Sequence, residues 1–174
     1  MGSNNRSVVT SIKHHVISWS DVVKHVDKIC NDIIRSDVEI DAILGLSRGG
    51  LVPAVMIANQ LDIDEVYSYG LRSYSNKTGG DIKTYQLAGS ETVKGDHILV
   101  VDDISDRGET LGYVKRQLCK PTHMPWTYKN IHTCTICVKP KTDFLPTWHA
   151  VDVEDDEWVI FPWESDACKP KDRM

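Results

Sequence analysis

The sequence predicts a single α/β domain over residues 1–174, built as a parallel β-sheet flanked by helices, with a small C-terminal appendage. Two observations carry that expectation. Short apolar runs of strand character, "AILGL", "HILVV" and "IHTCTICVK", alternate along the chain with stretches of helical periodicity. The first two of these runs end in polar, glycine-containing turns that lead directly into a helix. Strands alternating with helices imply parallel pairing through right-handed crossovers.

Taken in order, "SWSDVVKHVDKICNDIIRS" places Val22, Val23, Val26, Ile29, Ile33 and Ile34 at helical spacing, with Ser18 or Ser20 as candidate caps. "EIDAILGL" reads as a strand, "SRGG" breaks it, and "LVPAVMIANQL" reads as a helix that tolerates Pro53 in its first turn. "DEVYSYGL" is a second strand. From Arg72 to Ser90 the chain is polar and glycine-containing, a length of connection usual for functional or mobile loops. "HILVV" is a strand followed by a helix from about Thr110 to Cys119, and "IHTCTICVK" and "WHAVDV" complete the strand set. The segment from about residue 153 to 168, with Trp158 and Trp163, caps the sheet as an appendage, and residues 1–10 read as a frayed end.

Composition excludes several classes. A 174-residue chain that is 41% hydrophobic and 26% charged has the makeup of an ordinary globular domain. No apolar run reaches the roughly 18 residues of a membrane span, and the first residues lack a signal-peptide core. The net charge of −5 argues against nucleic acid as a main partner. Cys134 and Cys137 form a C-x-x-C, but inside a strand pattern their side chains alternate, and no second ligand pair follows. The five cysteines therefore read as free thiols of a cytoplasmic protein. None of the seven histidines recurs at a ligand spacing, and His14, His15 and His149 read as surface or structural residues.

The chemistry concentrates after two strands, where open α/β sheets bind ligands. "ILVVDDISDRGETL" runs from four β-formers into Asp102-Asp103, then Asp106, Arg107, Gly108, Glu109 and Thr110 at a helix start. Backbone N–H groups, a close-approach glycine and a hydroxyl there would cradle a phosphate. Asp102 and Asp103 beside it suit ribose hydroxyls or a hydrated Mg²⁺. Together these features describe a ribose 5-phosphate site. "LGLSRGGLVPA" offers a second anion loop, with free N–H groups and a cation between strand and helix. In the tail, "CVKPKTDF" and "DDEWVIFPWE" supply an ammonium and an aromatic face, groups that suit a carbonyl oxygen and a purine ring.

These motifs, in this order from Ile17 to Glu164, resemble the type I phosphoribosyltransferases, and "SRGGLVP" with the tryptophan tail resembles the bacterial xanthine-guanine branch of the 6-oxopurine enzymes. The resemblance implies transfer of 5-phosphoribosyl from 5-phosphoribosyl-1-pyrophosphate (PRPP) to xanthine, guanine or hypoxanthine, with Mg²⁺ as cofactor and assembly as a homodimer or homotetramer. It assigns Ser47, Arg48, Gly49 and Gly50 to pyrophosphate, with a non-proline cis peptide at Ser47-Arg48. Residues 106–110 take the 5-phosphate, Asp102 and Asp103 the ribose and metal, and Asp106 is the catalytic base at purine N7. Lys139 would donate to the 6-oxo oxygen, Trp158 would stack on the base, and the backbone at Val159 would read its edge, making the appendage a base-binding hood. "LRSYSNKTGGDIK" matches the catalytic lid, with Ser73 and Tyr74 at its centre. The family pattern usually has Thr where this chain has Arg107, Gly or Lys where it has Glu109, and an acid where it has Ile160. The loss of that acid weakens a contact to a 2-amino group. The alternative is a PRPP-sensing regulator of the same fold that binds nucleic acid. Asp106, the lid and the hood favour the enzyme.

Overall fold

The computed structural model describes residues 12–74, 81–87, 95–119 and 130–164. In chain order the elements are β1 (Lys13–Val16), α1 (Trp19–Arg35), β2 (Ala42–Ser47), α2 (Leu51–Leu61), β3 (Val66–Tyr74), β4 (Asp81–Leu87), β5 (Ile98–Ser105), α3 (Glu109–Leu118), β6 (Ile131–Val138), β7 (Trp148–Asp152) and β8 (Glu157–Ile160).

Six strands form the main sheet in the order β4-β3-β2-β5-β6-β7, parallel except for the antiparallel edge strand β4. The alternation expected from the sequence thus produces the expected sheet. β2 and β5 lie side by side at its centre, and the chain winds outward from them in opposite directions. α1 and α2 cover one face, where Val22, Val26, Ile29 and Ile57 pack on Ile43, Leu99, Val101 and Ile136. The other face carries α3, with Leu111, Val114 and Leu118 against Leu44, Ile98 and Val100. Among the described cysteines, Cys30, Cys134 and Cys137 are buried free thiols, and burial pushes Cys134 and Cys137 far above the usual thiol range. No described helix is long and apolar enough to cross a membrane.

α1 starts with a complete capping box. The Ser18 side chain accepts from the Asp21 amide, and the Asp21 carboxylate accepts from the Ser18 amide. Ser18 rather than Ser20 is therefore the cap. The apolar stripe is narrower than its sequence suggests, because Val23 and Ile34 are exposed. Pro53 is the third residue of α2, inside the first turn as expected.

Three elements depart from the sequence expectation. The polar stretch after Leu71 is in part a hairpin: β3 continues to Tyr74 and pairs with β4, Ser73 opposite Ile82 and Tyr74 opposite Asp81. β5 extends past Val101 through both aspartates, because Asp102, Ile104 and Ser105 find ladder partners in Thr135, Cys137 and Val138 of β6. And β1, unread in the sequence, pairs in parallel with β8, His14 opposite Trp158 and Val16 opposite Ile160. This two-stranded sheet is anchored by aromatic contacts. Trp163 stacks on Phe161 at 4.8 Å and meets Trp19 at 5.8 Å.

Ile29 is fully buried where α1 crosses the sheet, so Ile29→Ala is expected to cost about 2–5 kcal/mol. Val23→Ala, six residues earlier on the exposed face, is expected to change stability by less than about 0.5 kcal/mol. Urea midpoints of the two variants check the assignment of faces.

Candidate active site

Two loops meet where the winding of the sheet reverses. The first follows β2. Ser47-Arg48 is a cis peptide, as the resemblance implied, and Ser47 Oγ donates to the Tyr69 carbonyl at 3.2 Å. Gly49 and Gly50 then lie directly on β5. A Cβ on Gly50 would fall 2.3 Å from the Val101 carbonyl oxygen, and one on Gly49 would fall 1.7 Å from an Asp103 carboxylate oxygen. Only glycine permits this approach, and it sets Asp103 against the anion loop. Arg48 is exposed beside it.

The second loop follows β5. Gly108 adopts a left-handed φ of 77° and begins α3 with no side-chain cap. Gly50 likewise begins α2 with none. α1, remote from this crevice, has both capping bonds. The two helix starts that face the crevice thus leave the positive ends of their dipoles to an incoming anion. Asp106, Arg107 and Glu109 are exposed, and Thr110 is half-buried in the first turn.

Asp102 and Asp103 stand between the loops. Burial, and then the neighbouring Asp103 charge, raises Asp102 well above the ordinary carboxylate range. Burial pushes Asp103 up to about 6, and the Glu164 charge adds to that rise. Two partly desolvated carboxylates that resist ionisation side by side form a donor set suited to a divalent cation.

Lys139 follows β6 and is only 8% exposed. Its ammonium lies 3.2 Å from the Asp106 carboxylate and donates to the Asp155 carbonyl at 3.5 Å. The tail residue and the loop acid, 33 positions apart, therefore share one site. Trp158, 42% exposed, stands on the open face of the hood, while Val159 is buried against the core. The structure thus brings the glycines of the first loop against Asp103, and Lys139 against Asp106 of the second. Of the lid expected from the sequence, Ser73 and Tyr74 lie at the end of β3, while their side chains and residues 75–80 lie outside the described residues. Sequence reasoning missed Asp155, whose carboxylate accepts from the Lys141 amide at 3.2 Å and pairs with the Lys141 ammonium at 3.1 Å. Nothing in the run of four acids, "EDDE", singles it out from its neighbours.

Residues 16–167 match the phosphoribosyl transferase domain. The chain belongs to that family. It is 31% identical over 124 residues to a xanthine-guanine phosphoribosyltransferase of Cereibacter sphaeroides, covering 71% of this chain and 68% of that protein. A xanthine-guanine phosphoribosyltransferase of Chromohalobacter salexigens is 29% identical, covering 85% and 82% of the two chains. The crystal structure of a purine phosphoribosyltransferase from Pyrococcus horikoshii superposes with a TM-score of 0.70 at 25% identity, covering 87% of this chain and 95% of that one.

The Asp103 carboxyl holds its proton more tightly in the folded chain than in the unfolded one, where aspartates titrate near 3.9. Its contribution to stability is therefore full below about pH 4 and is lost as the pH rises through about 6. Asp103→Asn, which stays neutral, is expected to exceed the parent in stability at pH 7.5 by up to about 3 kcal/mol. Thermal melts at pH 4 and pH 7.5 check this, since the gap should close at the lower pH.

Proposed function

We propose that this phosphoribosyltransferase joins PRPP to a 6-oxopurine (xanthine, guanine or hypoxanthine), giving the nucleoside monophosphate and pyrophosphate in purine salvage. The observation that carries the reading is the 3.2 Å contact between Lys139 and Asp106, which links a base-recognising ammonium to the acid of a phosphate loop. The N–H groups of residues 106–110, at the positive end of α3, hold the 5-phosphate, and Arg107 adds a guanidinium charge. Lys139 donates to the 6-oxo oxygen, Trp158 covers one face of the ring, and the Val159 backbone reads its edge. Asp106 accepts the proton at N7 as N9 attacks the anomeric carbon, and the C1–O bond to pyrophosphate breaks. The Ser47–Gly50 loop receives the departing pyrophosphate, its N–H groups and Arg48 meeting the developing charge. Asp102 and Asp103 would hold Mg²⁺ with the ribose hydroxyls, where it supplies positive charge to the pyrophosphate oxygens. Ser73 and Tyr74 belong to a lid that keeps water from the ribosyl cation.

Ile160, on the same hood face as Trp158, offers no acceptor to a 2-amino group, which keeps hypoxanthine and xanthine among the substrates. The buried free thiols fit the reducing cytoplasm. The exposed Val16, Trp19 and Val23 support assembly as a homodimer or homotetramer. We read the chain as one catalytic domain whose hood begins at about residue 153.

The deciding experiment is product formation from PRPP and Mg²⁺ with guanine, xanthine, hypoxanthine, adenine and uracil in parallel. Turnover confined to 6-oxopurines is expected, and turnover of none of them would overturn the reading. Asp106→Asn is expected to lower kcat by at least about 10²-fold. Near-normal kcat in that variant would remove the base assignment.

A further inference from the structure

One pair of hydroxyls, Ser105 buried and Thr142 half-buried, has no part in the chemistry above. Ser105, the last residue of β5, is 2% exposed, and its Oγ lies 2.9 Å from Thr142 Oγ1 and 3.0 Å from the Phe144 carbonyl oxygen. The Phe144 amide donates to Thr142 Oγ1 at 3.3 Å. Thr142 Oγ1 also lies within donating distance of the Phe144 carbonyl, at 3.2 Å, so in either direction of the Ser105–Thr142 bond both hydroxyls and the Phe144 amide are satisfied. Two backbone bonds run parallel to this relay. The Lys139 amide donates to the Ser105 carbonyl at 3.0 Å, and the Asp143 amide to the Arg107 carbonyl at 3.1 Å. Above it sits Gly108, where a Cβ would fall 2.5 Å from the Phe144 nitrogen and 2.6 Å from Thr142 Oγ1. Thr142 thus lies directly beneath Gly108 in the loop from Asp106 to Thr110, and the six-residue bend 139–144 that carries it begins with Lys139.

We propose that Ser105 and Thr142 are positioning residues whose hydroxyls latch the 139–144 bend to the 105–108 loop, so that the base lysine and the phosphate cradle are held as one unit. The proposal rests on the phosphoribosyltransferase reading above. Loosening the latch should weaken both substrates together, since the loop and Lys139 lose their common reference. A buried hydroxyl interaction of this kind corresponds to about a 3- to 10-fold change in affinity.

The test is steady-state kinetics of Thr142→Val, Thr142→Ser and Ser105→Ala with PRPP and the purine that the parent turns over, beside calorimetric titration with ribose 5-phosphate. Thr142→Val is expected to raise both KM values about 3- to 10-fold with kcat within about 2-fold, and Thr142→Ser to restore both. A rise in one KM alone, or equal impairment in Thr142→Ser, would overturn the latch. If Thr142→Val does not fold, Ser105→Ala carries the same expectation, and unchanged KM values there overturn it. If the parent turns over no purine, the function reading fails separately. The ribose 5-phosphate titration still decides the latch, with about 3- to 10-fold weaker binding expected and unchanged binding counting against it.

Discussion

The site depends on one close approach, the seating of Gly49 and Gly50 on β5. β2 and β5 are neighbours at the point where strand order reverses, so the turn after one and the acids of the other open into the same crevice. That placement alone leaves two loops side by side. The missing Cβ atoms let the "SRGG" backbone rest on Val101 and Asp102, with Asp103 against Gly49. Any side chain there would push the loop after β2 off the acids of β5 and separate the two halves of the crevice.

The electrostatics follow from that seating. α2 and α3 aim uncapped starts at the crevice, while two desolvated carboxylates crowd its floor. Positive helix ends and a reluctant acid pair make a site that favours an anion together with a cation over either alone. Lys139 adds a further constraint, since a nearly buried ammonium needs a partner in every state. Asp106 and the Asp155 carbonyl supply it.

Much of this was legible in the sequence where residue type and spacing act locally. Apolar runs marked β2, β5 and β6, and the acid-glycine-threonine and "SRGG" turns marked the two loops that meet in the crevice. What the sequence hid is tertiary. Asp102 and Asp103 are poor strand formers, yet β6 offers them a ladder, so β5 runs on through both. β1 is four residues of modest propensity and exists because β8 lies beside it. Thr142 and Ser105 look like ordinary polar residues until the fold carries one beneath the other.

The pairing of β1 with β8 has a consequence for how the protein is made. Its ladder joins His14 to Trp158, whereas strands from β2 to β7 meet partners much nearer in sequence. Loop-closure entropy makes such a distant pairing late to form. The central strands can therefore pair before β1 and β8 find each other. The segment around Trp158 is then the last part of the fold to be fixed in place, and it is held there by a strand from the opposite end of the domain.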